Sequence, residues 1–315
     1  TKLDEATGEL LFFNYSKHAP YMHYGVVGPD NKLKHYVPIP LPGPRLPHDM
    51  CFTENYSILN DMPLFWNEEL LERNVHAVEF HPEMKTRFAI IPRYGQPEDI
   101  RWFEAEPTYT LHWLNAYEEG DEIVLDGYFQ EEPQPKSYPD APEGLERMMA
   151  YLSQGLMKPK LHRWRFNMKT GETVEQRLDD RILEFGMINQ KYAGRKYRYA
   201  YSAIPEPYWF LFKGIVKHDL DTGESWSYEL GEGRYASESP FVPRIGAKDE
   251  DDGYIISYVS DVNADQSECI LLDAKDIEAG PVCRIILPER ICSGTHSTWA
   301  NGSDIGMPEN SVLAA

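Results

Sequence analysis

Three of the ten histidines in this 315-residue chain stand where a strand is about to begin. They are His48 in "PRLPHDMCFTENYSI", His112 in "YTLHWLNAYEEG" and His296 in "GTHSTWA". A neutral imidazole is a good ligand for zinc, copper, iron or nickel. No local spacing ties the three together: H-E-x-x-H, H-x-H and EF-hand loops are absent, as are the G-x-S-x-G elbow, the P-loop and G-x-G-x-x-G. Residues this far apart can share an ion only if the fold brings several strand mouths to one point, as blades around a central axis do. Taken singly, each reads more readily as a satisfied core or loop histidine than as a ligand. His18, His23, His35, His76, His81, His162 and His218 lie in charged or turn-like contexts and read as surface or structural residues.

The elements that must position these residues are short strands. The turn signal D/N-x-x-T-G-E occurs three times, in "DEATGELLFF" (4 to 13), "NMKTGETVEQ" (167 to 176) and "DLDTGESWSY" (219 to 228). Asp or Asn opens the turn, Gly supplies a positive φ, and a strand follows. Related turns occur in "GPDNKLKHYVPI" and "YEEGDEIVLDGYF", and β-branched and aromatic runs such as "RFAIIP", "YWFLF" and "CRIILP" predict strands between them. "VPIPLPGPRLP" (37 to 47) and "EEPQPKSYPDAPEG" (131 to 144) are proline-broken connections. Helical spacing is confined to 67–75 and 143–157. The pattern predicts an all-β fold built from stacked hairpins, a β-propeller in preference to a pair of β-sandwiches.

Composition narrows the function classes. Apolar content of 42% and charged content of 26% are those of a globular protein. A net charge of −20 argues against nucleic acid and against a polybasic membrane patch, since nothing neutralises phosphates. No apolar run reaches the ~18 residues of a membrane-spanning helix. The four cysteines are scattered, without C-x-x-C or zinc-ribbon spacing, which suits a reducing compartment and a cytoplasmic location. The chain opens "TKLDEATGELLFF", without methionine and directly into a hairpin, and so reads as beginning inside a domain.

Several longer stretches carry a family resemblance. "HDMCFTENYSIL" resembles the H-D-x-x-x-T-x-N-Y element of the carotenoid cleavage oxygenases, which include the lignostilbene dioxygenases. "RFAIIPRYG" followed by "IRWFEAEPTYTLHWLNAYEEGDEIVLD", then "SESPFVPR", then "GTHSTW", resemble further family elements in the family's order, from Thr1 to about Trp299. The resemblance implies a seven-bladed propeller with Fe(II) on its axis, held by four histidines. Carried over residue by residue, it makes His48, His112 and His296 three of those ligands. It makes Glu184 in "RILEFGMIN" the acceptor for His112 and Glu238 in "SESPFVP" the acceptor for His296. The fourth ligand would precede Thr1, so the chain is expected to be a single propeller domain, residues 1–315, lacking its N-terminal part.

The activity implied is oxygen-dependent cleavage of a conjugated C=C bond in a carotenoid, apocarotenoid or stilbenoid into two carbonyl products. The partners implied are an apolar conjugated small molecule and O₂. Asp49, Thr53, Asn55 and Tyr56 read as residues that fix the turn and strand. Phe65, Trp66, Trp113 and Tyr117 are candidates for either pocket or core. Two rival readings stand beside this one. A non-catalytic binding module without iron would take up no metal, and a Ca²⁺-dependent propeller hydrolase would use Asp, Glu and Asn ligands and consume no oxygen.

Overall fold

A computed structural model describes residues 1–75, 77–134, 153–292 and 294–306. His76 and most of the helix expected at 143–157 lie outside these residues; its end is helical at Gln154–Met157. The other expected helix is shorter than its spacing suggested. It spans Glu68–Glu72, is capped by the Asn67 side chain accepting from Leu70 N, and stops at Arg73.

The rest is antiparallel sheet. A first sheet is a meander of Lys2–Asp4, Glu9–Tyr15, Tyr21–Val27 and Leu33–Pro40. A second joins Cys51–Phe52, Tyr56–Asp61, Thr86–Pro92 and Arg101–Ala105, and a third joins Trp113–Glu119, Glu122–Gln130, Pro159–Asn167 and Thr173–Arg177. A fourth comprises Glu184–Met187, Tyr199–Pro205, Phe212–Asp219 and Ser225–Glu229. In a fifth, Arg234–Ala236 and Phe241–Pro243 both pair with Gly253–Asp261, followed by Gln266–Asp273 and Pro281–Ile286. The fourth and fifth meet through the pair Phe212 and Ala236.

The cores lie between sheets, as in a radial array. Leu11 and Tyr24 of the first sheet share a cluster with Leu59 and Ile91 of the second and Tyr128 of the third. Phe88 packs with Trp113, Trp164 and Phe166 between the second and third. Tyr201, Phe212, Phe241 and Ile255 fill the space between the fourth and fifth. A strand covered on both faces needs no polar alternation, and "EIVLDGYFQ" is buried at all but its two intermediate positions, Glu122 and Phe129. The first strand of the third sheet lies against the first strands of the second and fourth. This is the β-propeller arrangement, all-β as expected: the described residues supply three four-stranded sheets, a nine-stranded sheet whose two blade-like halves are the fourth and fifth, and a two-stranded pair of Leu64–Trp66 and Val78–Phe80.

The repeated turn acts as read. Asp4 Oδ1 accepts from Ala6 N, Asn167 Oδ1 from Lys169 and Thr170 N, and Asp219 Oδ1 from Asp221 and Thr222 N. Gly8, Gly171 and Gly223 take φ of +70°, +84° and +77°. One expectation is corrected in place. "YWFLF" does not form a strand throughout: Tyr208, at φ +71°, lies in the turn, and the strand starts only at Phe212.

One ion-pair cluster ties the first sheet to later ones. The fully buried Asp4 carboxylate lies 2.9 Å from Arg93 Nη1 and 2.9 Å from Arg195 Nη1. Burial alone would raise its pKa, but the hydrogen bonds from Arg195 and Arg93 hold it below the ordinary value. Asp4→Asn removes the buried charge that Arg93 shares with Glu9 and that Arg195 pairs with, and is expected to cost roughly 1 to 3 kcal/mol, read as a lower urea midpoint at pH 7. Because the folded pKa is depressed, the Asp4 contribution is complete above the unfolded value of about 3.9 and lost as pH falls through the folded one. Wild type and Asp4→Asn should therefore converge in stability as pH falls from about 3.9 through the lower folded value. A gap between them that is independent of pH would refute the assignment.

Candidate metal centre

The three histidines meet. One ring nitrogen from each of His48, His112 and His296 lies within 4.8 Å of the others. The His112 ring is edge-on to both neighbours, with centroids 5.1 Å from His48 and 5.2 Å from His296. Among the described residues, no other group of three His, Cys, Asp or Glu side chains converges in this way.

Local chemistry explains each placement. Prolines 44 and 47 restrict the approach to His48, and the strand Cys51–Phe52 starts two residues after Asp49. Thr53 Oγ1 and Asn55 N donate to Glu118 Oε1, and Tyr56 N donates to Thr53 Oγ1. His112 ends the connection into Trp113–Glu119. His296 differs from expectation, because no strand follows it among the described residues. Its segment is held instead by Glu238, whose Oε2 accepts from Ser297 N at 2.6 Å and whose carbonyl accepts from Ser297 Oγ at 2.8 Å.

The two glutamates reach the imidazoles. Glu184 Oε2 lies 2.7 Å from His112 Nδ1, and Glu238 Oε2 lies 3.3 Å from His296 Nδ1. Glu184 is fully buried at the mouth of the fourth sheet. Its aim depends on an irregularity in the strand between Glu184 and Met187. Phe185 adopts φ +51° there, a left-handed conformation that costs a bulky residue on the order of 1 kcal/mol or more. Phe185 N then donates to the same Glu184 Oε2 at 2.6 Å. Gly186 follows because a Cβ at that position would sit 2.1 Å from the Tyr128 hydroxyl.

Electrostatics separates the rings. Burial and the neighbouring His112 lower the pKa of His48, which favours the neutral imidazole a cation requires. Burial would lower that of His112 too, but the charge and hydrogen bond of Glu184 raise it. With Nδ1 engaged, the buried Nε2 of His112 has no hydrogen-bond partner. A fully buried polar nitrogen left unpaired is costly, and this one belongs to a ring that faces two others. Three nitrogen donors, two of them oriented by carboxylates on the far nitrogen, suit an imidazole-preferring transition metal such as iron.

Other residues sort differently. Trp113 and Tyr117 are buried core residues. Phe65 stacks on His81 with centroids 4.2 Å apart and carries the Arg45 guanidinium at 4.2 Å. The sequence reading missed Phe185, whose ring is 4.5 Å from His112 and 5.5 Å from His296. Its only signal was adjacency to Glu184. The reading also missed Lys2, whose ammonium lies 2.9 Å from Asp49 Oδ2; nothing in its local sequence marks it.

The chain is similar to known proteins along most of its length. The chain is 36% identical over 315 residues to the carotenoid 9,10(9',10')-cleavage dioxygenase 1 of Pisum sativum, covering 94% of this chain and 56% of that protein. It is 29% identical to the isoeugenol monooxygenase of Pseudomonas putida, covering 95% of this chain and 64% of that protein. The crystal structure of Pseudomonas brassicacearum lignostilbene dioxygenase superposes with a TM-score of 0.83 at 28% identity, covering 96% of this chain and 65% of that one. The chain thus spans little more than half the length of the first of these relatives. The sequence pattern of the retinal pigment epithelial membrane protein family matches residues 1–301, and the chain belongs to that family, the carotenoid cleavage oxygenases.

Proposed function

We propose that this protein is an Fe(II)-dependent dioxygenase, built on one propeller domain, that cleaves a conjugated C=C bond of a carotenoid, apocarotenoid or stilbenoid. The observation that carries this reading is the convergence of three imidazoles, two of them backed by glutamates on the opposite ring nitrogen. The names of the relatives support the reaction class. His48, His112 and His296 would hold the ion through their free nitrogens. Such an ion supplies a Lewis-acidic redox centre with open positions for O₂.

The reaction balances without a co-reductant. The alkene double bond and the O–O bond break, two C=O bonds form, and each carbonyl takes one oxygen atom. No protein nucleophile or general base is required. Glu184 keeps the His112 proton on Nδ1 and leaves Nε2 as a donor pair, and Glu238 does the same for His296. Phe185 gives the group an apolar flank, which keeps water from that side and suits a hydrocarbon substrate.

The test is anaerobic reconstitution with Fe(II), metal analysis, and incubation with a conjugated alkene under ¹⁸O₂. About one iron per chain and label in both carbonyl products are expected. Failure to hold iron, with the alkene bound but unchanged, would instead make the protein a binding module.

A further inference from the structure

Asp49 sits beside one proposed ligand and is bonded to the neighbour of another. Its Oδ2 accepts from the backbone N–H of Trp113 at 3.0 Å, and its carbonyl accepts from Trp113 Nε1 at 3.4 Å. Its Oδ1 accepts from Met50 N at 2.8 Å. Asn60 Nδ2 donates to the Asp49 carbonyl at 2.9 Å. The remaining bond comes from a different sheet: Lys2 Nζ, on the first strand of the first sheet, donates to Asp49 Oδ2 at 2.9 Å. The carboxylate side chain is 12% exposed. One side chain therefore joins the mouths of the first, second and third sheets, immediately next to His48 and His112.

From this geometry we infer that Asp49, held by Lys2, is a positioning residue that sets the spacing between His48 and His112, and so tunes the affinity and geometry of the metal centre. This rests on the reading of the three histidines as ligands. A helix or strand ladder cannot provide this coupling, because His48 lies before its strand and has no ladder bonds of its own. Tyr109 Oη also joins the two connections by donating to the Leu46 carbonyl at 2.9 Å, but the Asp49 carboxylate acts directly between the residues next to His48 and His112. A carboxylate can accept from Trp113 N–H and Met50 N–H through different oxygens at once, which fixes both backbones. The ammonium of Lys2 offsets its charge and brings the first sheet into the same constraint. The tolerance for ligand placement is narrow, about 0.5 Å, so a shift of one connection is felt directly in metal binding.

The test is Co(II) titration of the purified chain without oxygen, followed by visible absorption, since the ligand-field bands report ligand geometry as well as occupancy. Asp49→Ala removes the bonds to Trp113 N, Met50 N and Lys2. It is expected to weaken Co(II) binding by about tenfold or more and to shift the bands, with the far-ultraviolet circular dichroism of wild type. Asp49→Asn keeps one neutral oxygen for Trp113 N–H and loses the charge pair with Lys2; its affinity should fall between wild type and alanine. Wild-type affinity and bands in Asp49→Ala would overturn the inference. If the alanine variant does not fold, wild-type affinity and bands in Asp49→Asn would overturn it equally. His112→Ala run in parallel separates the two claims. Co(II) retained at full strength by His112→Ala refutes the metal centre itself. Co(II) lost there but unchanged in the Asp49 variants refutes only the role of Asp49.

Discussion

His112→Ala is expected to lower metal affinity by at least about a hundredfold, beyond the 10–100-fold typical of losing an outer hydrogen-bond partner, and to bring alkene cleavage to background. The expectation rests on the position of His112 in the cluster. Its ring is edge-on to both other imidazoles, so its removal leaves His48 and His296 as the remaining pair. It is also the most buried of the three, and its buried Nε2 has no hydrogen-bond partner. Stability should fall as well, because the buried Glu184 carboxylate loses its partner and must be protonated or left uncompensated. Metal analysis after anaerobic Fe(II) reconstitution reads the first effect, and product chromatography the second. Full occupancy in the variant, with turnover unchanged, would remove His112 from the centre.

Glu184→Gln carries the second large effect. Glutamine keeps the volume and can still accept from Phe185 N, so the strand irregularity at Phe185 survives. It cannot offer the charge that holds His112 above its ordinary pKa. Metal affinity should fall by about ten- to a hundredfold. In the metal-free protein, the His112 pKa should drop below its wild-type value, because burial, now opposed only by the weaker influence of Asp49, disfavours the imidazolium. NMR titration of the imidazole protons measures that shift, and Co(II) titration measures the affinity. An unchanged His112 pKa would show that Glu184 does not set its protonation. A lowered pKa with unchanged metal affinity would show that orientation alone is not the lever.

Much of the frame was legible because it depends on local chemistry. Asp4, Asn167 and Asp219 each bond their own turn, and the glycine four residues on takes the positive φ that a side chain resists. Those interactions span a few residues, so a short motif contains them. The same holds for "RFAIIP", whose central residues are buried as its composition indicated. "YWFLF" was misread because aromatic content marks a half-buried surface and does not distinguish a strand from the turn leading to it.

The site divides along the same line. The types and strand-mouth positions of His48 and His112 were visible in the sequence, as was the adjacency of Glu184 and Glu238 to apolar runs. What the chain alone determined was an inventory: nitrogen donors, carboxylates and turns, each in a recognisable local setting. The tertiary structure decided which of ten histidines meet, that His296 is held by Glu238 without a following strand, that Phe185 adopts φ +51° beside His112, and that Lys2 reaches Asp49. These contacts join different sheets, and their geometry follows from how one blade packs on the next. Burial between blades sets that packing over many residues at once, and no short stretch of sequence contains it.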